Sequence, residues 1–186
     1  MSPLSKEYID NISHLSLKKS LLHRIPWLII GLFGGIFAAR IVKSFENILS
    51  EHFVLAAFIP LIVYMSDAVG TQMEAFVIRD FAIHPRLNFI KYLFKQFIIV
   101  FVIGLLLGTV LFTYAFFSHY GLRTSLALSL SLFFAIVSSV FTGLIFPLIF
   151  RGSKTDPANA SGPIATVVQD ILSVTIYLAT AYLLLG

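Results

Sequence analysis

The sequence contains no cysteine and few charged residues, which make up 12% of its 186 positions. The lack of cysteine excludes a small scaffold held together by disulfides. Soluble domains carry about 25% charged residues, so this chain cannot cover itself with a soluble surface of ordinary polarity. Disorder is also excluded, because 58% of the residues are hydrophobic. The composition therefore predicts an integral membrane protein.

The few charged residues are mostly basic, with 13 Lys and Arg against nine Asp and Glu. Such an excess also occurs in nucleic-acid-binding proteins, but here the basic residues are spread between long apolar runs. That distribution is typical of the cytoplasmic loops of a membrane protein. We therefore expect this chain to contact a lipid bilayer and no nucleic acid.

The apolar runs predict an all-α domain with five membrane-spanning helices. The spans are expected at residues 25–42, 54–78, 89–117, 126–150 and 164–185. Pro26 and Trp27 suit the first turn of the first span at the lipid–water interface. Residues 1–23 combine charged and apolar residues near helical spacing, which predicts a short amphipathic helix on the cytoplasmic membrane surface. The chain would thus divide into this helix and a transmembrane domain, 24–186.

The loop charges predict how the spans are oriented. If the N-terminus is cytoplasmic, the inner segments hold ten Lys and Arg and the outer segments hold three. Because basic residues concentrate in cytoplasmic loops, we expect the N-terminus inside, the C-terminus outside and a multi-pass location in the cell (inner) membrane. An odd number of spans also favours a symmetric homodimer.

Three acidic residues fall within predicted spans: Asp67, Glu74 and Asp170. A charged carboxylate in hydrocarbon costs at least ~2.5 kcal/mol on insertion scales, so each needs a partner or a wet cavity. Asp67 and Glu74 are seven residues apart, about two helical turns, and share one face of the second span. Gly70 and Thr71 lie between them on that face.

A second polar stripe is expected on the fifth span, where Thr166 lies one turn before Asp170. Carboxylate and hydroxyl oxygens suit hard cations such as Mg²⁺, Ca²⁺, Mn²⁺ or Na⁺. No His or Cys falls in the centre of a span, so a zinc or copper site is not expected. The favoured interpretation is a hydrophilic cation path with no resident cofactor. Its candidate metal-contacting residues are Asp170, Asp67, Glu74, Thr71 and Thr166.

Two other interpretations of these acids stay open. Each acid could be neutral, or paired with a basic residue such as Arg40, Lys91 or Lys95, although these lie nearer to the span ends. Asp67 and Asp170 could alternatively form the catalytic pair of an intramembrane protease. The sequence has no nucleophile elbow, P-loop, zinc-protease or dinucleotide motif, and we expect no enzyme.

Pairs of glycines occur in two spans, Gly34 with Gly35 in the first and Gly104 with Gly108 in the third. The second pair has the small-xxx-small spacing that lets two membrane helices approach closely. We interpret both pairs as marks of helix packing rather than of chemistry.

Four stretches, taken in order, resemble the membrane domain of the MgtE family of magnesium channels and transporters. The first is similar to the Arg-x-Pro-Trp-Leu motif at the start of the family's first span. The second is similar to the family's pattern of a proline, a stretch of small and polar residues, Gly-x-Gln and then Arg. The third and fourth overlap, and are similar to Gly-x-x-x-Pro and to Asp-Pro-Ala-x-x-Ser-Gly-Pro ending in Asp. These stretches are residues 24–46, 60–82, 143–158 and 156–170.

The resemblance implies a homodimer whose second and fifth spans line one pore on the two-fold axis. It also implies that Asp170 is the central cation-site residue and that the transported ion is a largely hydrated Mg²⁺. The chain departs from the family in the small-polar stretch of the second span. Residues 66–72 read SDAVGTQ and lack the asparagines that the family commonly has there. Asp67 and Glu74 are added carboxylates, and Gln96 stands where the family has an acidic residue.

The leading hypothesis is therefore transport of Mg²⁺ or related divalent cations in a homodimer. Channel flow and exchange against Na⁺ or H⁺ both stay open. We expect no CBS domain pair before residue 24, so a separate cytosolic regulatory partner is a further expectation. The alternative is a non-conducting assembly or regulatory subunit that works with such a partner.

Overall fold

The structure, a computed structural model, describes residues 16–84, 88–151 and 157–186. Within these ranges the chain is helical throughout apart from short connections. The helices are α1 (Leu17–Ser44), α2 (Glu46–Glu51), α3 (Phe53–Ile83), α4 (Phe89–Phe117), α5 (Leu122–Arg151) and α6 (Pro157–Leu185). Five of them, all except α2, are long and apolar enough to cross a membrane. The prediction of an all-α chain with five spans is confirmed, while the orientation stays a prediction.

The first span begins earlier than the sequence predicted. α1 starts at Leu17, so Pro26 lies inside the helix and not in its first turn. Leu17 and Leu21 continue the helical apolar pattern upstream, and spanning helices tolerate an internal proline. The division predicted at residue 24 therefore falls within one continuous helix. Residues 1–15 of the predicted amphipathic helix lie outside the described part of the chain.

The last span also begins earlier, at Pro157. We expected the polar stretch with Gly162 and Pro163 to precede this helix, but both residues belong to it. Proline is favoured at the first helical position because its missing N–H would have no partner there. In contrast, α4 has the predicted limits, and the Asn88 side chain accepts the Lys91 backbone N–H at 3.2 Å to cap it.

Helix α5 is the centre of the bundle, because it packs against α3, α4 and α6. The buried core includes Leu128, Ile136 and Leu144 of α5 together with Ile62 of α3 and Tyr177 of α6. Helix α1 contributes no buried residue and packs mainly against α6. Many of its large apolar side chains are exposed, as expected of a helix that faces lipid.

Glycines allow the spans to approach closely at several crossings. A Cβ atom on Gly104 would lie 3.2 Å from the Phe133 ring, and one on Gly108 would lie 3.2 Å from the Ser129 carbonyl oxygen. The packing interpretation of this pair is therefore confirmed. Gly34 likewise contacts Val167 of α6, but a Cβ atom on Gly35 would meet nothing within 4 Å. Only the first glycine of that pair serves packing.

Candidate cation site

The polar stripe of α3 lines a narrow cleft against α5 and α6. Its volume is about 10 Å³, enough for about one water molecule. The predicted common face of the α3 residues is thus observed, although the stripe packs against other helices and does not border an open channel within one copy. The lining residues are Asp67, Gly70, Thr71, Glu74, Thr142, Gly143, Ala165, Thr166 and Gln169.

The two stripes predicted from the sequence meet across the interface of α3 and α6. The Asp67 carboxylate forms a side-chain hydrogen bond with Thr166, in which the threonine hydroxyl donates. Asp170 lies one turn after Thr166, close enough to Asp67 for the two charges to interact. Both carboxylates are partly exposed.

Thr71 and Glu74 occupy the next turns of α3, toward its C-terminal end. The Thr71 side chain is exposed and that of Glu74 is partly exposed. Both line the cleft together with Asp67. Among the described residues of one copy, no three His, Cys, Asp or Glu side chains converge as a metal site would require.

No Lys or Arg in the described ranges forms an ion pair with Asp67 or Asp170. The basic partners considered above, Arg40, Lys91 and Lys95, therefore do not neutralise these two acids there. An ion pair does occur at the end of α3, where the Arg79 Nη2 atom lies 3.1 Å from Asp80 Oδ1. The Tyr92 hydroxyl donates to the same carboxylate at 3.0 Å, which ties α3 to α4.

A buried network behind the acids was not anticipated from the sequence. Gln169, just before Asp170, is 1% exposed and its amide links α6 to α5. Its Oε1 atom accepts the Thr142 hydroxyl at 2.6 Å, while Nε2 donates to Ser138 Oγ at 3.2 Å and lies 3.3 Å from the Ala135 carbonyl oxygen. The sequence does carry one indication of this network, because Ser138 and Thr142 lie one helical turn apart and so place two hydroxyl groups on the same face of α5.

The network extends to α3 through hydroxyl groups. Ser66 Oγ and Ser173 Oγ lie 2.6 Å apart, and the Tyr177 hydroxyl donates to the Leu55 carbonyl oxygen at 2.7 Å. In the described residues, every buried side-chain N or O atom has a hydrogen-bond partner. Satisfied buried polar groups fix the packing of helices where apolar contacts alone would allow sliding.

Two glycines bring the backbones of α3 and α5 together beside the cleft. A Cβ atom on Gly143 would lie 2.7 Å from the Gly70 carbonyl oxygen and 3.0 Å from the Met73 Cβ atom. No larger residue fits without moving one of the helices. This crossing therefore sets the position of the α3 turn that follows Asp67.

Comparison with known proteins identifies the group to which this arrangement belongs. The profile of a family described as "MgtE: Divalent cation transporter" matches residues 59–180, about two thirds of the chain. The chain belongs to the MgtE family. The matched range contains all five candidate cation-site residues. The family consists of transporters and not of enzymes, which removes the protease interpretation of Asp67 and Asp170.

Three curated relatives carry the name "Magnesium transporter MgtE". The protein of Bacillus subtilis is 32% identical over 164 residues, which cover 86% of this chain and 36% of the relative. The protein of Enterococcus faecalis is 28% identical over 91% of this chain and 38% of the relative. The protein of Thermus thermophilus is 25% identical over 88% of this chain and 37% of the relative.

The chain thus spans a little over a third of the length of these MgtE relatives. Its five apolar helices agree with membership of a family of multi-pass cell-membrane proteins. The part of the relatives that matches this chain is therefore expected to be a membrane-spanning part.

Proposed function

We propose that this chain carries Mg²⁺, or a related hard divalent cation, across the membrane between α3 and α6 at the axis of a homodimer. The observation that carries the proposal is the pair Asp67 and Asp170. These carboxylates lie in two different spans, near enough for their charges to interact. No Lys or Arg of the described chain is ion-paired with them. A divalent cation would supply the missing positive charge.

The dimeric part of the proposal follows from the space available. The cleft inside one copy holds about one water, whereas Mg²⁺ sheds its water reluctantly and usually keeps several molecules. A hydrated ion therefore needs room outside the single bundle. Asp67 and Asp170 are partly exposed and Thr71 is exposed, so in a lone copy these polar groups would meet hydrocarbon. A two-fold partner would cover them and enclose a polar path.

The five candidate residues have different roles in this mechanism. Asp170 and its symmetry mate attract the hydrated ion electrostatically, and Asp67 adds charge within interaction distance of Asp170. Thr166 donates to Asp67 and so holds that carboxylate toward α6. Thr71 and Glu74 extend the oxygen-rich surface along α3, toward the end that the charge pattern predicts to be cytoplasmic. Oxygen ligands of this kind suit Mg²⁺ and Mn²⁺.

The direct test is uptake of Mg²⁺ into liposomes that contain the purified chain alone. We expect an inward Mg²⁺ flux down its gradient that exceeds leakage into protein-free vesicles of the same lipid. An absence of flux, together with co-purification of a soluble protein, would instead support the non-conducting subunit. Flux that requires an opposing Na⁺ or pH gradient would identify an exchanger, whereas flux driven by voltage alone would identify a channel.

Replacing Asp67 by Asn should change ion preference more than stability. Asn keeps the size of the side chain and an oxygen that accepts from Thr166, but it removes one of two neighbouring charges. Lower site charge favours an ion that keeps its water, so uptake should shift severalfold toward Mg²⁺ and away from Ca²⁺. Competition between the two ions in liposomes measures the shift. Wild-type selectivity in this variant would make Asp67 a structural residue.

A further inference from the structure

The residues that precede the two acids in the sequence share one hydrogen-bond partner. Ser66, just before Asp67, lies with its Oγ atom 2.6 Å from Ser173 Oγ. Gln169, just before Asp170, donates from Nε2 to the same Ser173 oxygen at 3.0 Å. One hydroxyl on α6 is therefore bonded to both of the turns that carry the carboxylates.

These contacts use the full capacity of the Ser173 hydroxyl, which has one proton and two lone pairs. It donates to the Gln169 carbonyl oxygen at 2.6 Å. It accepts from Gln169 Nε2 and, with Ser66 as donor, from Ser66 Oγ. Ser66 and Ser173 are fully buried and Gln169 is 1% exposed. Water therefore does not compete for these bonds, and each holds its geometry more firmly than a surface bond would.

The arrangement separates the network from the acids by one residue on each helix. Successive residues of a helix point about 100° apart, so Ser66 and Gln169 face the interior while Asp67 and Asp170 face the flank. Sliding or rotation of α3 against α6 would break the Ser66–Ser173 bond, which joins the two helices, and would also change the distance between the carboxylates. The network and the acid pair are thus mechanically coupled.

We propose that Ser173 is a positioning residue that fixes the register of the Asp67 and Asp170 turns and thereby sets cation affinity and selectivity. The inference rests on the transport function proposed above. Ser173 itself is buried, so it acts through Ser66 and Gln169 and not by touching the ion.

Removal of this hydroxyl should leave the bundle folded, because each of its partners has another group to bond. Ser66 Oγ lies 3.0 Å from the carbonyl oxygens of Ile62 and Val63, so its proton can turn to one of them. Gln169 keeps its contacts with Thr142 and Ser138. Ser173→Ala therefore orphans no buried polar group, and its main effect should be a looser register between α3 and α6.

The test compares Ser173→Ala with Ser139→Ala in liposomes. Ser139 is also fully buried, but its hydroxyl bonds within its own helix, to the Ile136 carbonyl oxygen at 2.7 Å. Loss of groups that orient metal-contacting residues typically costs 10–100-fold in affinity. We expect about a tenfold rise in the half-saturating Mg²⁺ concentration and a reduced preference for Mg²⁺ over Ca²⁺ in Ser173→Ala, with little change in Ser139→Ala.

A double-mutant cycle with Ser66→Ala locates the effect. If the Ser66–Ser173 bond transmits the effect, the rises in half-saturating Mg²⁺ concentration of the two single variants will not add in the double variant, because each substitution removes the same contact. Equal half-saturation and selectivity in the Ser173→Ala and Ser139→Ala variants would overturn the positioning role. Failure of the underlying transport proposal is distinguishable, because the wild-type chain itself would then carry no Mg²⁺.

Discussion

Replacement of Asp170 by Ala is expected to reduce Mg²⁺ uptake by at least about a hundredfold. Two unit charges 4 Å apart interact by ~4 kcal/mol at an effective dielectric constant of 20, and each 1.4 kcal/mol is a factor of ten. A divalent ion that keeps its water lies farther away but carries twice the charge. In a symmetric dimer the substitution removes two carboxylates from the axis at once, so the site loses most of its attraction for the ion.

The fold should survive this substitution. The Asp170 side chain is partly exposed and is in no ion pair with a Lys or Arg of the described ranges. Its removal therefore creates no cavity in the buried core and leaves no buried basic residue without its partner. The unfolding temperature and the oligomeric mass in detergent should match those of the wild-type protein.

Glu51→Ala is a suitable control, because it also removes one carboxylate per copy but from an exposed position at the end of α2. We expect normal uptake from this variant. Unchanged uptake by Asp170→Ala would exclude Asp170 from the path. Loss of dimer in that variant would show instead that the aspartate contributes to assembly, and the transport assignment would then move to Asp67.

The five spans were predictable because a bilayer imposes one strong requirement, a long apolar helix with its backbone bonded internally. The limits of α4 were correct on this basis. The starts of α1 and α6 were not, because Pro26 and Pro163 were treated as features of a helix entry. In a bundle the neighbouring helices support the backbone around an internal proline, and the sequence does not reveal that support.

The candidate site was predictable along each helix but not between helices. The seven-residue spacing of Asp67 and Glu74 shows that they share a face, since helical geometry alone decides it. The Asp67–Thr166 bond depends on the register of α3 against α6, which packing determines. Gln169 was overlooked for the same reason. A lone glutamine in a span indicates a buried network only when its partners on α5 are known.

Replacement of Gly143 by Ala is expected to destabilise the bundle and to impair transport. The new Cβ atom would lie 2.7 Å from the Gly70 carbonyl oxygen, and this backbone atom cannot rotate aside as a side chain can. Helices α3 and α5 must therefore separate. Overpacking of this kind costs about 1–3 kcal/mol, which outweighs the gain of up to ~1 kcal/mol from replacing a helical glycine. The unfolding temperature should fall by about 3–8 °C.

Transport should fall further than stability, by about tenfold, because Gly70 lies one turn after Asp67 and moves with it. Gly35→Ala is the matched control, since a Cβ atom there meets nothing within 4 Å. It makes the same chemical change in another span, and it should leave the unfolding temperature and uptake unchanged or slightly improved. Equal behaviour of the two variants in thermal unfolding and Mg²⁺ uptake would mean that α3 and α5 tolerate separation. The crossing at Gly70 and Gly143 would then not control the position of Asp67.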